Sequence, residues 1–216
     1  MIRTAPEGRW FIVGAWVGAL VLIVAAGRLG TSAWIAGAAL WTMLAAWVVA
    51  FFRDPERAWA RGDRLIVAPA DGKVVGVIEV DEPEFFHGRA LRISIFMSVF
   101  DCHVNRYPTD GTVAYRHYIR GRFGHAAAEK ASRSNEQTSV GLTTAHGNVL
   151  IRQIAGLVAR RIVTDHQPGA VVHQAERLGM IRFGSRVDLF LPLGTRVLVR
   201  VGDTTRVGVT VVAEWN

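Results

Sequence analysis

Two stretches near the N-terminus, residues 10–27 (WFIVGAWVGALVLIVAAG) and 34–52 (WIAGAALWTMLAAWVVAFF), contain no charged side chain. At 1.5 Å rise per residue each makes a helix of roughly 27–28 Å, just long enough to cross a bilayer. In lipid such a segment can satisfy its backbone N–H and C=O groups only as a helix. The sequence therefore predicts a hairpin of two transmembrane helices within residues 1–52, followed by a domain over residues 53–216. A signal peptide is the main alternative for the first stretch. No clear small-residue cleavage site separates it from the second, which would still remain as a stop-transfer span. Arg3 and Arg9 precede the first stretch, Arg53, Arg57, Arg61 and Arg64 follow the second, and Arg28 alone lies between them. This bias puts both termini, and the domain, on the cytoplasmic side of the cell membrane. Trp10, Trp34 and Trp59 fall at or near the span ends, where indole rings favour the interface. Trp16, Trp41 and Trp47 are scattered within the apolar segments and need no such explanation.

The remainder, about 160 residues, suits one compact domain. Hydrophobic residues at 50% and a mean hydropathy of +0.24 exclude a disordered chain. The net charge is +7, and of the 25 basic residues only Lys73 and Lys130 are lysines. Guanidinium forks grip phosphate or carboxylate in pairs, and beside a membrane a basic excess attracts anionic headgroups. An ordinary arginine-rich solvated surface accounts for it equally well. No basic stripe with interleaved aromatics is present, so no nucleic-acid partner is expected. With two lysines in the chain, amine chemistry would more readily use an electrophile built into the backbone than a lysine imine. Cys102, the single cysteine, excludes an intrachain disulfide and a cysteine metal cluster; no metal is expected, and Cys102 reads as a small buried hydrophobe.

From Leu65 onward the pattern changes to short β-branched runs broken by glycine: LIVAPADGKVVGVIEV, RALRISIFMSVF, GNVLIRQIAG, ARRIV, SRVDLFLP, TRVLVRVG and TRVGVTVVAEW. These predict a mainly β (α+β) domain. Asp71-Gly72 and Asp110-Gly111, each two residues after a proline, read as hairpin turns. A helix is expected over 124–134, and a loop or short helix over 167–179.

Four segments carry the chemistry: Ala68-Pro-Ala-Asp71-Gly-Lys-Val, Phe96-Met-Ser-Val-Phe-Asp101-Cys-His103-Val-Asn105-Arg106, Ser134-Asn135-Glu136-Gln, and Gly179-Met-Ile-Arg182-Phe183-Gly184-Ser185-Arg186-Val-Asp188. In this order and spacing the chain, over about residues 50 to 213, resembles the short prokaryotic phosphatidylserine decarboxylases. A Gly-Ser pair alone means a turn; behind the other three blocks and some thirty residues from the C-terminus it becomes specific. The resemblance implies that the chain cuts itself between Gly184 and Ser185. The Ser185 hydroxyl would attack the Gly184 carbonyl, and β-elimination and hydrolysis would leave a covalent pyruvoyl cofactor at position 185. The large (β) chain 1–184 and the small (α) chain 185–216 would stay associated. A serine hydroxyl is a poor nucleophile without a base and an oxyanion donor. The resemblance assigns His103 as that base and Asp71 as the group orienting it, after the fashion of a triad. By itself His103 reads as an ordinary strand-end histidine. Longer bacterial members carry a second histidine where this chain has Arg106, which leaves open whether His103 serves both self-cleavage and decarboxylation. Phe-Gly-Ser-Arg also replaces the commoner Leu-Gly-Ser-Thr or Ser.

The substrate so implied is phosphatidylserine held in the membrane, with the pyruvoyl carbonyl as electron sink. Two other readings remain: the same chemistry on another lipid such as archaetidylserine, and a non-enzymatic membrane-anchored carrier or scaffold domain with Lys73 at a hairpin tip. The sequence leaves homo-oligomer formation open.

Overall fold

A computed structural model describes residues 3–121, 135–156, 161–182 and 185–216. The helix expected over 124–134 lies outside them. The chain divides into two compact units between Glu56 and Arg57.

In the first unit, α1 (Arg9–Leu29) and α2 (Ser32–Phe51) are both long and apolar enough to cross a membrane. They turn more tightly than the sequence predicts, because Arg28 lies in the last turn of α1, where a cation meets the negative end of the helix dipole. Gly30 closes that helix at φ 65°, a left-handed cap that costs glycine little. Within the hairpin the Trp41 indole donates to the Ala15 carbonyl at 2.8 Å, giving the ring's polar atom a partner inside an apolar pair. Leu20, Val21, Leu40 and Met43 are exposed. Residues 53–56 stay with this unit: Thr4 bridges Arg53, the Asp54 amide donates to the Arg3 carbonyl, and Arg3 pairs with Glu56.

The second unit is built of antiparallel strands: β1 (Leu65–Val67), β2 (Gly72–Glu82), β3 (Gly88–Met97), β4 (Val104–Arg106), β5 (Gly111–Ile119), β6 (Gln137–Thr144) and β7 (Gly147–Ala155). They continue as β8 (Arg161–Thr164), β9 (Val171–Val172), β10 (Arg177–Arg182), β11 (Ser185–Leu191), β12 (Arg196–Val197), β13 (Thr204–Thr205) and β14 (Val211–Glu214). The main sheet has the order β13-β2-β3-β11-β7-β6-β5-β9, and two three-stranded sheets, β1-β14-β12 and β4-β10-β8, accompany it. The fold class is thus mainly β, as the glycine-punctuated runs imply. Of the two alternatives for the region 167–179 the structure has the loop, interrupted by β9 and leading into β10.

Neither Asp-Gly pair makes a hairpin. Asp71-Gly72 joins β1, which pairs with β14, to β2, which pairs with β3; Asp110-Gly111 joins β4, which pairs with β10, to β5, which pairs with β6. Both are corners at which the chain changes sheets. Alternation puts Ile93, Ile95 and Met97 of β3, Val187, Leu189 and Leu191 of β11, and Val149, Ile151 and Ala155 of β7 on one face of the main sheet. Ile66, Ile181, Val212 and Ala213 from the two smaller sheets close over that face and complete the core.

Candidate active site

The register of the main sheet lines up the four motif blocks. Lys73 pairs with Phe96, Phe96 with Arg186, Arg186 with Ile154, and Ile154 with Gln137. Segments far apart in the chain therefore meet at one end of five adjacent strands. One step further along, Ser185 pairs with Met97 on one side and Ala155 on the other. Because strand side chains alternate, Ser185 shares the face of Val187, Leu189 and Leu191 and points into the core. It has no solvent exposure, and its hydroxyl donates to the Met97 sulfur at 3.4 Å. Gly184 lies outside the described residues.

Each remaining block braces this end of the sheet. Gly72 has φ 148°, and a Cβ there would come within 2.1 Å of the Phe96 carbonyl oxygen, so only glycine lets β2 lie this close to the end of β3. The Asn135 amide donates to the Ala155 carbonyl at 2.7 Å, and the Ala155 N–H donates to the Glu136 carbonyl. The Ser-Asn-Glu-Gln block thus fixes the residue opposite Ser185.

His103 is buried with no exposure, just before β4. Its carbonyl accepts from the Ile181 amide on β10, the strand that leads towards Ser185. Its Nε2 lies 3.0 Å from the Ser98 carbonyl. A carbonyl only accepts, so Nε2 carries the hydrogen and Nδ1 is the basic nitrogen. The Ser98 turn is itself built by Asp101, whose carboxylate accepts from the Ser98 amide at 2.7 Å. Asp71, also buried, accepts two hydrogen bonds from Arg57, at 2.6 and 2.7 Å, and one from the Val207 amide at 2.7 Å. Among the described residues no hydrogen bond links Asp71 to His103. The structure thus gathers Ser185, His103 and Asp71 onto elements that meet at one end of the sheet, but a backbone carbonyl orients the imidazole and an arginine holds the aspartate.

Arg106 stands where longer bacterial members have a second histidine. Its guanidinium donates to the Ala175 carbonyl at 2.9 Å and lies 4.4 Å from the centre of the Trp59 ring. His146 pairs with Asp63 and sits at the far end of β7, nine residues from Ala155, or about 30 Å along an extended strand. His117 is exposed beside Glu84. Lys73 is exposed but lies within β2, paired with Phe96 and Thr204, and not at a hairpin tip as a carrier domain requires. On the other face of β11, Arg186 and Asp188 are both buried and pair through two hydrogen bonds of 2.8 and 2.7 Å.

Sequence reasoning gives no role to Met97, whose sulfur accepts from Ser185, and counts Arg57, which holds Asp71, only towards membrane topology.

Ser185 is thus shut inside the core at the head of a strand, with the four motif blocks brought together beside it. The family model for phosphatidylserine decarboxylase matches residues 44–213. The chain is 47% identical over 209 residues to a phosphatidylserine decarboxylase proenzyme of Symbiobacterium thermophilum, covering 96% of this chain and 94% of that protein. It is 42% identical over 213 residues to the proenzyme of Nitrosomonas europaea, covering 98% and 95%. With the proenzyme of Bacteroides thetaiotaomicron it shares 49% identity over 169 residues, covering 77% and 74%. The chain belongs to the phosphatidylserine decarboxylase family.

Proposed function

We propose that this protein decarboxylates phosphatidylserine to phosphatidylethanolamine, using a pyruvoyl group that it makes from Ser185. The observation that carries the reading is the buried Ser185 at the point where all four motif blocks converge. Ser185 Oγ attacks the Gly184 carbonyl carbon and gives its proton to His103; the peptide C–N bond breaks and an ester replaces it. Loss of the Ser185 Cα proton then breaks the Cβ–Oγ bond. Residues 1–184 leave with a C-terminal carboxylate, and the dehydroalanine left at 185 takes up water and releases ammonia. The surroundings fit such a group: the position is closed to bulk water, which protects a reactive carbonyl, and a buried amide, Asn105, shares the Met97 sulfur with Ser185. In place, the pyruvoyl carbonyl supplies an electron sink for the pair left by departing CO2, which a proton replaces.

His103 acts through Nδ1, with the Ser98 carbonyl fixing the ring, as the base for self-cleavage. Asp71, clamped by Arg57 and the Val207 amide, holds the corner that brings β2 against the end of β3. The two apolar helices anchor the protein in the membrane that contains its substrate, and the arginine bias supports a cytoplasmic domain. The test is a denaturing gel with mass spectrometry on protein made without added protease. Two chains, 1–184 and 185–216, are expected, the smaller beginning with a residue lighter than serine by one ammonia. Ser185→Ala should stay whole and inactive. A wild-type protein that is active as one chain overturns the proposal.

A further inference from the structure

Behind Ser185 the core carries polar side chains where the alternation calls for apolar ones. Val149, Ile151 and Ala155 on β7 face the core, and so does Gln153, which has no solvent exposure. Asn105 on β4 is equally closed off. Burying two carboxamides is unfavourable unless each is hydrogen bonded, and these are joined in a line. The Thr164 hydroxyl on β8 donates to Gln153 Oε1 at 3.0 Å, Gln153 Nε2 donates to Asn105 Oδ1 at 2.9 Å, and Asn105 Nδ2 donates to Met97 Sδ at 3.6 Å. The line has only one direction. A thioether can accept but not donate, so Asn105 must turn its NH2 to Met97 and its oxygen to Gln153, and Gln153 must in turn present its oxygen to Thr164. The same sulfur takes the Ser185 hydroxyl at 3.4 Å.

We infer that Thr164, Gln153 and Asn105 are positioning residues that fix the Met97 thioether and, through it, aim the Ser185 hydroxyl for attack on its own chain. This rests on the reading of Ser185 as the processed residue. A thioether suits the task because it is a weak acceptor: it sets the hydroxyl's orientation but gives the proton up to a base readily. A carboxylate or carbonyl in its place would hold that proton more firmly.

The experiment follows self-cutting of full-length protein on denaturing gels after synthesis without added protease, for wild type, Gln153→Leu, Met97→Leu, Thr164→Val and the double variant Met97→Leu/Thr164→Val. Each sample is also treated with hydroxylamine, which cleaves an ester but not a peptide bond. Gln153→Leu and Met97→Leu should slow cutting on the order of 10-fold or more, as misplacement of a reacting group does, and should lower the hydroxylamine-labile fraction of the uncut chain. Thr164→Val, isosteric and remote from Ser185, should slow cutting by itself but add nothing to Met97→Leu, because its effect passes through the sulfur. If Gln153→Leu fails to fold, the Met97 and Thr164 variants decide the matter. Cutting at the wild-type rate or faster in Met97→Leu, an undiminished ester fraction, or additive effects in the double variant would overturn the relay. A wild-type chain that never cuts, or a Ser185→Ala chain that does, overturns the underlying reading instead.

Discussion

Asp71 and His103 are held by different partners, and substitution separates what each contributes. His103→Ala removes the base, which costs on the order of 10²–10⁴ in the rate of self-cutting, so the uncut chain accumulates while the fold persists. Asp71→Ala removes the acceptor of two hydrogen bonds from Arg57 and one from the Val207 amide, and should lower stability by about 2–3 kcal/mol as well as slowing cutting. Urea unfolding beside the cutting assay distinguishes the two: equal stability loss in both variants would mean that Asp71 does not anchor its corner. Any matured His103→Ala protein, assayed for decarboxylation, settles whether one histidine serves both steps. Asp188 makes a third case. It is fully buried against Arg186, so Asp188→Ala leaves a buried cation and should cost about 3–5 kcal/mol, measured by the same unfolding titration. The candidate residues enter through the family resemblance of their motif blocks, but their partners are not legible in the sequence. His103 is oriented by a backbone carbonyl, which leaves no side-chain signature, and Asp71 by an arginine from a segment that reads only as a membrane flank.

At the scale of elements, the strands that the sequence declares are those with continuous apolar runs, such as β3, β7 and β11, which occupy the middle of the sheet. β5 and β6 escape notice for a physical reason. The β5 segment GTVAYRHYI carries arginine and histidine on opposite faces, both left partly open to solvent, and QTSVGLTT of β6 is polar yet buried through Leu142. Its burial is possible because neighbouring strands supply partners, as Arg152 does for Ser139 at 3.0 Å, and such cross-strand pairing is absent from local pattern. The Asp-Gly pairs read as hairpins but form corners for a related reason, since the dipeptide specifies a turn but not which strands flank it. Gly72 is where this matters most. Gly72→Ala would drive a methyl group into the Phe96 carbonyl, separate β2 from β3 beside Met97, and should cost about 2–4 kcal/mol. Thermal unfolding should register the loss, and self-cutting should slow with it. A Gly72→Ala protein of native stability and normal cutting would show that the end of β3 has room to move.

For the whole molecule, the hairpin and the catalytic unit meet different physical demands. The helices leave large apolar side chains such as Leu20, Leu40 and Met43 exposed, which water would penalise and lipid would not. The second unit has a closed core of its own and contains every residue assigned to the chemistry. Removing residues 1–56, the boundary where the first unit ends, should therefore release the protein from membranes and leave self-cutting intact. Its consequence for turnover depends on the substrate. A bilayer lipid presents its headgroup only at the membrane surface, so an unanchored enzyme must find that surface anew for each encounter. A short-chain phosphatidylserine in solution imposes no such search. Vesicle sedimentation, gel analysis and paired assays on the two substrates give the comparison: activity on bilayer lipid should fall much more than activity on the soluble analogue. Equal loss on both, with cutting complete, would mean that the hairpin shapes the site itself and does more than hold the enzyme at its substrate.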